Sequence, residues 1–270
     1  MYFTMDEIGF ANTKKIKNIT AEPERWKFIY EVAKTYGFEG VHFTPELYEE
    51  FGLDLSGIPA YFQDFKLTLH FSGLYRNIPE PKLTKAFEIA TQHGMHDISL
   101  HPPDIYGLSS SEKSLCYDLF RKTIEKWLEI ALKNGITLSL ESHVEGRYFL
   151  FDGLEEYVEF IDLYPELGVL IDISHNYFDG YTEDEIISFL SGKNVKGLHI
   201  SDALRGVDIK EGTHLAIGHG TMDVFKLLNH FADIPELYSV LEIKADNEGI
   251  ADSLRVLQQG GNLPPRLQSS

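Results

Sequence analysis

The chain has a single cysteine among 270 residues, so no intramolecular disulfide framework exists and a reducing compartment is expected. That residue, Cys116, sits in the helical stretch "SLCYDLF" and reads as core packing rather than as a catalytic thiol. No uninterrupted apolar run approaches the roughly 18 residues of a membrane span. The N-terminal "MYFTMDEIGF" lacks the basic-then-apolar layout of a signal peptide, so a cytoplasmic protein without a membrane partner is expected. Positive charge is also scarce. Twenty-four Lys and Arg face 42 Asp and Glu, a formal net charge of −18, which repels polyanions unless a basic patch overrides it. The one basic cluster, "NTKKIK", is short and reads as a solvated loop. Nucleic acid is therefore a less favoured partner than a small molecule. Linkers, low-complexity runs and signals of a second domain are missing too.

What the chain does have is alternation. Short apolar runs at 7–11, 40–44, 66–71, 97–102, 136–142, 169–174, 197–201 and 239–244 are separated by amphipathic helical patterns, several ending in Gly. Eight strand–helix units of about 34 residues each suit an α/β fold, a (β/α)8 TIM barrel in one domain over 1–260 followed by a C-terminal tail, 261–270. An open doubly wound sheet is the competing architecture.

Polar residues fall at one place in six successive strands. "LTLH" ends in His70, "ISLH" in His101, "LSLE" in Glu141, "LID" in Asp172, "GLH" in His199 and "VLE" in Glu242. Strand alternation points Thr68 with His70, Ser99 with His101, and Ser139 with Glu141. In a closed parallel barrel all carboxyl ends meet at one mouth, so six distant residues would converge. Three carboxylates so close raise one another's pKa values unless a cation neutralises them. A lone strand-end His or Asp is usually a rim residue or a helix cap. Six in succession are better read as ligands of a shared metal. Mixed imidazole and carboxylate donors suit Zn²⁺, Mn²⁺ or Co²⁺, and Mg²⁺ less well.

These residues make the chain resemble the xylose-isomerase-like TIM-barrel superfamily, which includes sugar isomerases and epimerases, inosose dehydratase relatives and endonuclease IV. The family pattern of a Glu ending the fifth strand, Asp-x-x-His after the sixth, His ending the seventh and Glu ending the eighth appears as Glu141, Asp172 with His175, His199 and Glu242. Resemblance to the ketose epimerases implies one divalent ion on Glu141, Asp172, His199 and Glu242. Glu141 and Glu242 would be the catalytic acid and base, while His175 and Arg205, from "HISDALR", would contact substrate oxygens; His70 and His101 would line the same pocket. Resemblance to endonuclease IV implies three zinc ions and phosphodiester hydrolysis at abasic DNA, with His70, His101, His175 and His214 as additional ligands. In that branch an Asp-Arg-His segment supplies the third ion's carboxylate, and here it reads Gly212-Thr213-His214, with Glu211 one position away. A non-catalytic, metabolite-binding barrel is the third reading. Gly218 and Gly220 of "IGHGTMD" could cradle a phosphate through backbone N–H groups, a plain turn being the favoured alternative. The substrate and the oligomeric state, a homo-oligomer included, stay open.

Overall fold

The computed structural model describes residues 1–6, 15–71, 80–143 and 148–260. Eight strands alternate with helices: β1 Tyr2–Asp6, α1 Glu22–Tyr36, β2 Gly40–Phe43, α2 Pro45–Glu50, β3 Lys66–Phe71, α3 Glu80–His93, β4 Asp97–Leu100, α4 Ser110–Asn134, β5 Thr137–Glu141, α5 Leu154–Ile161, β6 Gly168–Asp172, α6 Ile173–Phe178, α7 Glu183–Leu190, β7 Val195–Ile200, α8 Ile209–Gly212, α9 Val224–Phe231, β8 Tyr238–Leu241 and α10 Asn247–Gln258. The strands pair in the order β1 to β8 and the sheet closes, giving the (β/α)8 barrel.

Local chemistry sets the helix ends. Ser109 opens α4 in a reciprocal capping box with Glu112, and Gly135 closes it at φ 66°, a left-handed value that suits glycine. Thr182 and Glu185 repeat the box at α7. The strands are apolar because they are covered on both faces, and β6 is buried along its whole length.

The described chain packs as two compact units. One comprises Met1–Val41, Asp172–Ser191 and Gly197–Ser270; the other comprises His42–Ile171 and Gly192–Lys196. In the first, β8 pairs in parallel with both β1 and β7, with Tyr238 opposite Tyr2 on one side and Gly197 on the other. In the second, β3 to β6 form a continuous parallel run in which Ser99 lies opposite His70 and Ser139, and Ser139 opposite Gly168. A Cβ on Gly168 would lie 2.3 Å from Ser139 Oγ, so only glycine leaves room for the Ser139 hydroxyl, which donates to the buried Asp97 carboxylate at 2.7 Å.

The first strand departs from the sequence reading. It is Tyr2–Asp6, paired with β8, whereas the run expected at 7–11 lies outside the described residues. Tyr2–Met5 carries the aromatic and β-branched residues that a paired strand favours. The proposed tail, 261–270, also lies outside the described residues. His101 and Glu242 fall just past the ends of β4 and β8 rather than within them.

Candidate metal centre

In the second unit, β3, β4 and β5 bring three imidazoles to one carboxylate. Glu141 Oε2 lies 3.5 Å from His70 Nε2 and 3.6 Å from His101 Nε2. His143, two residues beyond Glu141, places Nδ1 2.9 Å from His101 Nε2. Ligand atoms of His101, Glu141 and His143 all lie within 4.8 Å of one another. Behind them, His42 Nδ1 meets Thr68 Oγ1 at 2.6 Å and its ring stacks on His70 with centroids 5.3 Å apart.

Hydrogen bonding orients His70. The Ser99 hydroxyl donates to the Leu69 carbonyl at 3.3 Å, so it accepts from His70 Nδ1–H at 3.0 Å. His70 Nε2 then turns a lone pair toward the Glu141 carboxylate. With His70 in that tautomer, the pair offers two electron-pair donors to a cation, and a second partner that fixes the imidazole tautomer is the usual companion of a metal-binding histidine. The donor chemistry fits a divalent ion. Beside it, buried Tyr157 donates its hydroxyl to the Leu140 carbonyl at 2.7 Å. Burial, and then the Glu141 charge, push its pKa well above the usual tyrosine range.

The first unit gathers a second set. Asp172 ends β6 and caps α6, its Oδ1 accepting from the His175 backbone N–H at 2.8 Å and the Ser174 hydroxyl at 3.1 Å. That bond seats His175 on the first turn of α6, where its Nε2 lies 3.1 Å from His214 Nε2. Glu242 Oε2 sits 3.3 Å from His199 Nδ1 and 3.8 Å from His214 Nδ1. His214 itself is left-handed at φ 57°, a conformation that costs a non-glycine residue about 1–3 kcal/mol and tends to mark functional positions. Its carbonyl, which accepts from Lys244 N–H at 2.8 Å, helps hold it there.

Three expectations meet specific surroundings. Gly218 and Gly220 direct their N–H groups to Asp202 Oδ2, both at 2.9 Å, so these donors serve an internal carboxylate and the turn reading stands. Burial raises the Asp202 pKa and those backbone bonds oppose the rise. Arg205 donates from Nε to the Tyr177 carbonyl at 2.7 Å and from Nη2 to the Tyr181 carbonyl at 2.5 Å, with its guanidinium 3.8 Å from the Tyr177 ring centroid. It thereby clasps the α6–α7 connection. At Gly212 a Cβ would meet the Leu204 carbonyl and the Phe178 ring at 2.5 Å. A carboxylate has no room at that position, and Glu211 is exposed.

Of the residues singled out in the sequence, His70, His101 and Glu141 come together in one unit, and His175, His199, His214 and Glu242 in the other. His143 and Asp202 were missed, and Ser99, read as sharing a face with His101, meets the ring of His70. His143 had a readable signal, since it follows Glu141 by two residues, the spacing at which an extended chain returns a side chain to the same side.

A profile of the family described as "Xylose isomerase-like TIM barrel" matches residues 30–260. The probable endonuclease 4 of Methanosphaera stadtmanae is 29% identical over 119 residues, covering 40% of this chain and 43% of that protein. The chain thus spans less than half the length of that curated relative. Among solved structures, a D-tagatose 3-epimerase-like protein has a TM-score of 0.72 at 20% identity, covering 96% of this chain and 97% of that one. The IOLI protein with a binding zinc atom has a TM-score of 0.69 at 16% identity, covering 97% and 98%. At these identities the structures show a common fold. With its profile match running along most of its length, the chain belongs to the xylose isomerase-like TIM-barrel family.

Proposed function

We propose that the protein is a metal-dependent isomerase or epimerase of a small sugar, sugar phosphate or polyol derivative. The observation that carries this reading is a pair of carboxylates at the ends of β5 and β8, each bracketed by two imidazoles: Glu141 by His70 and His101, Glu242 by His199 and His214. Such residues can hold and move protons while keeping an anionic oxygen in hydrogen-bond reach. The proposed ligands of one divalent ion are Glu141, Asp172, His199 and Glu242. When bound, that ion supplies Lewis acidity at a substrate carbonyl.

The roles of the chain's own groups follow from their placement. The Glu242 side chain is 22% exposed and Glu141's only 3%, so Glu242 is the better placed to reach a substrate carbon and take its proton. Glu141 serves the opposite transfer in an epimerisation. His175, fixed by its backbone bond to Asp172, steadies the substrate oxygen that gains negative charge. Arg205 shapes the loop around His175 through the Tyr177 carbonyl. Incubating the metal-loaded protein with a ketose panel in deuterated water tests the reading. Deuterium at the exchanged carbon, lost in Glu242→Gln, is expected; no incorporation and no new isomer across the panel would refute it.

A second reading, hydrolysis of a phosphoester in the manner of an endonuclease 4, is favoured by the His175–His214 pair and by His70 with His101, which a single-ion isomerase does not require. The crowding at Gly212 and the net charge of −18 weigh against it on DNA. Nicking of an abasic duplex at low salt would establish it in place of the first.

A further inference from the structure

We propose that Tyr106 and Tyr148 form a stacking platform for a second sugar ring, so that the substrate is a small glycoside rather than a lone monosaccharide. The two rings lie nearly parallel, 17° apart with centroids at 5.4 Å. Tyr106 is nevertheless 55% exposed. Folding gains little from an aromatic side chain left that far in water. Recognition gains from one that is large, amphipathic and rigid.

The surrounding loops make the platform rigid. The connections after β4 and β5 join in an antiparallel bridge of Asp104 with Phe149, and the Ile105 N–H donates to the Tyr148 carbonyl at 2.7 Å. Asp104 Oδ1 accepts from the Tyr106 N–H at 2.8 Å, an Asx turn. The Leu108 N–H closes the same turn on the Ile105 carbonyl at 3.0 Å, with Gly107 left-handed at φ 75°. Lys113 of α4 ties the two connections again through Asp152 at 3.1 Å. A ring held in this way loses little freedom when a ligand meets it.

Its place is the rim of the candidate centre, and every residue involved lies in the second unit. Phe149, next in sequence to Tyr148, packs with its ring centroid 4.6 Å from that of His101 and 4.1 Å from that of His143. A ligand at those imidazoles therefore finds the platform one residue farther along the β5–α5 connection.

Two kinds of ring stack on tyrosine. Its face is the negative part of the ring quadrupole, which attracts the slightly positive C–H groups on the face of a pyranose; a nucleobase stacks there as well. Charge chooses between them. The Asp104 carboxylate is bonded to the Tyr106 backbone and the chain carries a net −18, so a phosphate-linked base meets a repulsion that a neutral sugar does not. The inference rests on the proposed function in taking a sugar as the reacting unit. It adds a glycosidic bond from that sugar to another ring.

Binding, not turnover, tests it. Titration calorimetry on the metal-loaded, full-length protein compares a panel of ketoses with the same ketoses carrying a glucosyl group at O4 or O6. At least one disaccharide is expected to bind about 10-fold more tightly than its ketose, the gain of a well-placed aromatic contact. Tyr106→Ala should bring that ratio close to one, while Tyr106→Trp, which keeps a flat face, retains it. Tyr106→Leu, apolar but without that face, reads the same loss should the alanine variant not fold. A panel in which no disaccharide binds more tightly than its ketose would overturn the inference. So would a ratio untouched in Tyr106→Ala and Tyr106→Leu. Binding of a single-stranded oligonucleotide, or self-association in sedimentation, that Tyr106→Ala abolishes would give the platform to another occupant and overturn it too. Deuterium exchange into monosaccharides with no gain from the second ring would leave the proposed function standing and remove the platform alone. Tight disaccharide binding without any exchange would do the reverse.

Discussion

Gly220→Ala offers a direct test of how the loop after β7 is held. A Cβ at 220 would stand 2.2 Å from Asp202 Oδ1 and 2.3 Å from the Ala203 carbonyl oxygen. Neither neighbour is a flexible side-chain end. The Asp202 carboxylate is pinned by N–H groups of Ala203, Gly218 and Gly220, and the Ala203 carbonyl accepts from Thr221 N–H. The loop must move away, and two charge-assisted bonds, each worth about 1.5–3 kcal/mol, weaken or break. A loss of about 3–4 kcal/mol is expected, equivalent to a fall in melting temperature of about 6–15 °C for a chain of this size. Gly192→Ala is the control. It adopts φ 76° but has open space around its Cβ, so its cost is the left-handed backbone alone, about 1–2 kcal/mol. Thermal melts followed by circular dichroism compare the two. A Gly220→Ala shift no larger than that of Gly192→Ala would refute the view that the Asp202 carboxylate organises this loop.

Ser99→Ala removes the acceptor that holds His70 Nδ1–H and should weaken binding of a divalent ion by about 10–100-fold in calorimetric titration, while Ser99→Thr retains it. Tyr157→Phe deletes the buried bond to the Leu140 carbonyl and should cost about 1–2 kcal/mol in chemical denaturation. Asp202 gives a signed pH effect. Its folded pKa is raised, so between about pH 4 and that raised value the native state holds a proton that the unfolded chain has released, and stability falls as pH rises across this window. Asp202→Asn should lose that component of the pH profile, whatever it does to overall stability. Chelation should lower the melting temperature, because an ion at 100 times its dissociation constant contributes about 2.7 kcal/mol.

The barrel was legible because parallel strands covered on both faces leave runs such as Val169-Leu170-Ile171, and because several helices stop at a glycine, as at Gly37 and Gly135. Tyr2–Asp6 escaped because its identity as a strand depends on pairing with β8, a partner more than 230 residues away. The strand-end acids and histidines were readable from period-two alternation, which says which face a side chain takes. It does not say how far strands are offset. The β4–β5 register is what sets His101 against Glu141 and, through the next same-face residue, against His143. Asp202 was the least legible. Nothing in "HISDALR" announces that the N–H groups of residues 16 and 18 positions later will donate to its carboxylate.

Net charge and local charge make separate arguments about substrate. The value of −18 describes the field that an approaching polyanion meets, and it slows nucleic acid before any site chemistry begins. Within the candidate centre, Glu141 and Glu242 are each accompanied by two imidazoles, and an imidazole, when neutral, offers an electron pair rather than a fixed positive charge. Such a place attracts a cation first and an anionic or polar substrate only once the cation is there. The proposed substrate, a small carbonyl sugar, has no chain of phosphates to carry past the acidic exterior. The balance between the two readings therefore turns on salt dependence. A small, weakly charged substrate gives turnover nearly independent of ionic strength, whereas polyanion binding to a local basic patch weakens steeply as salt is added.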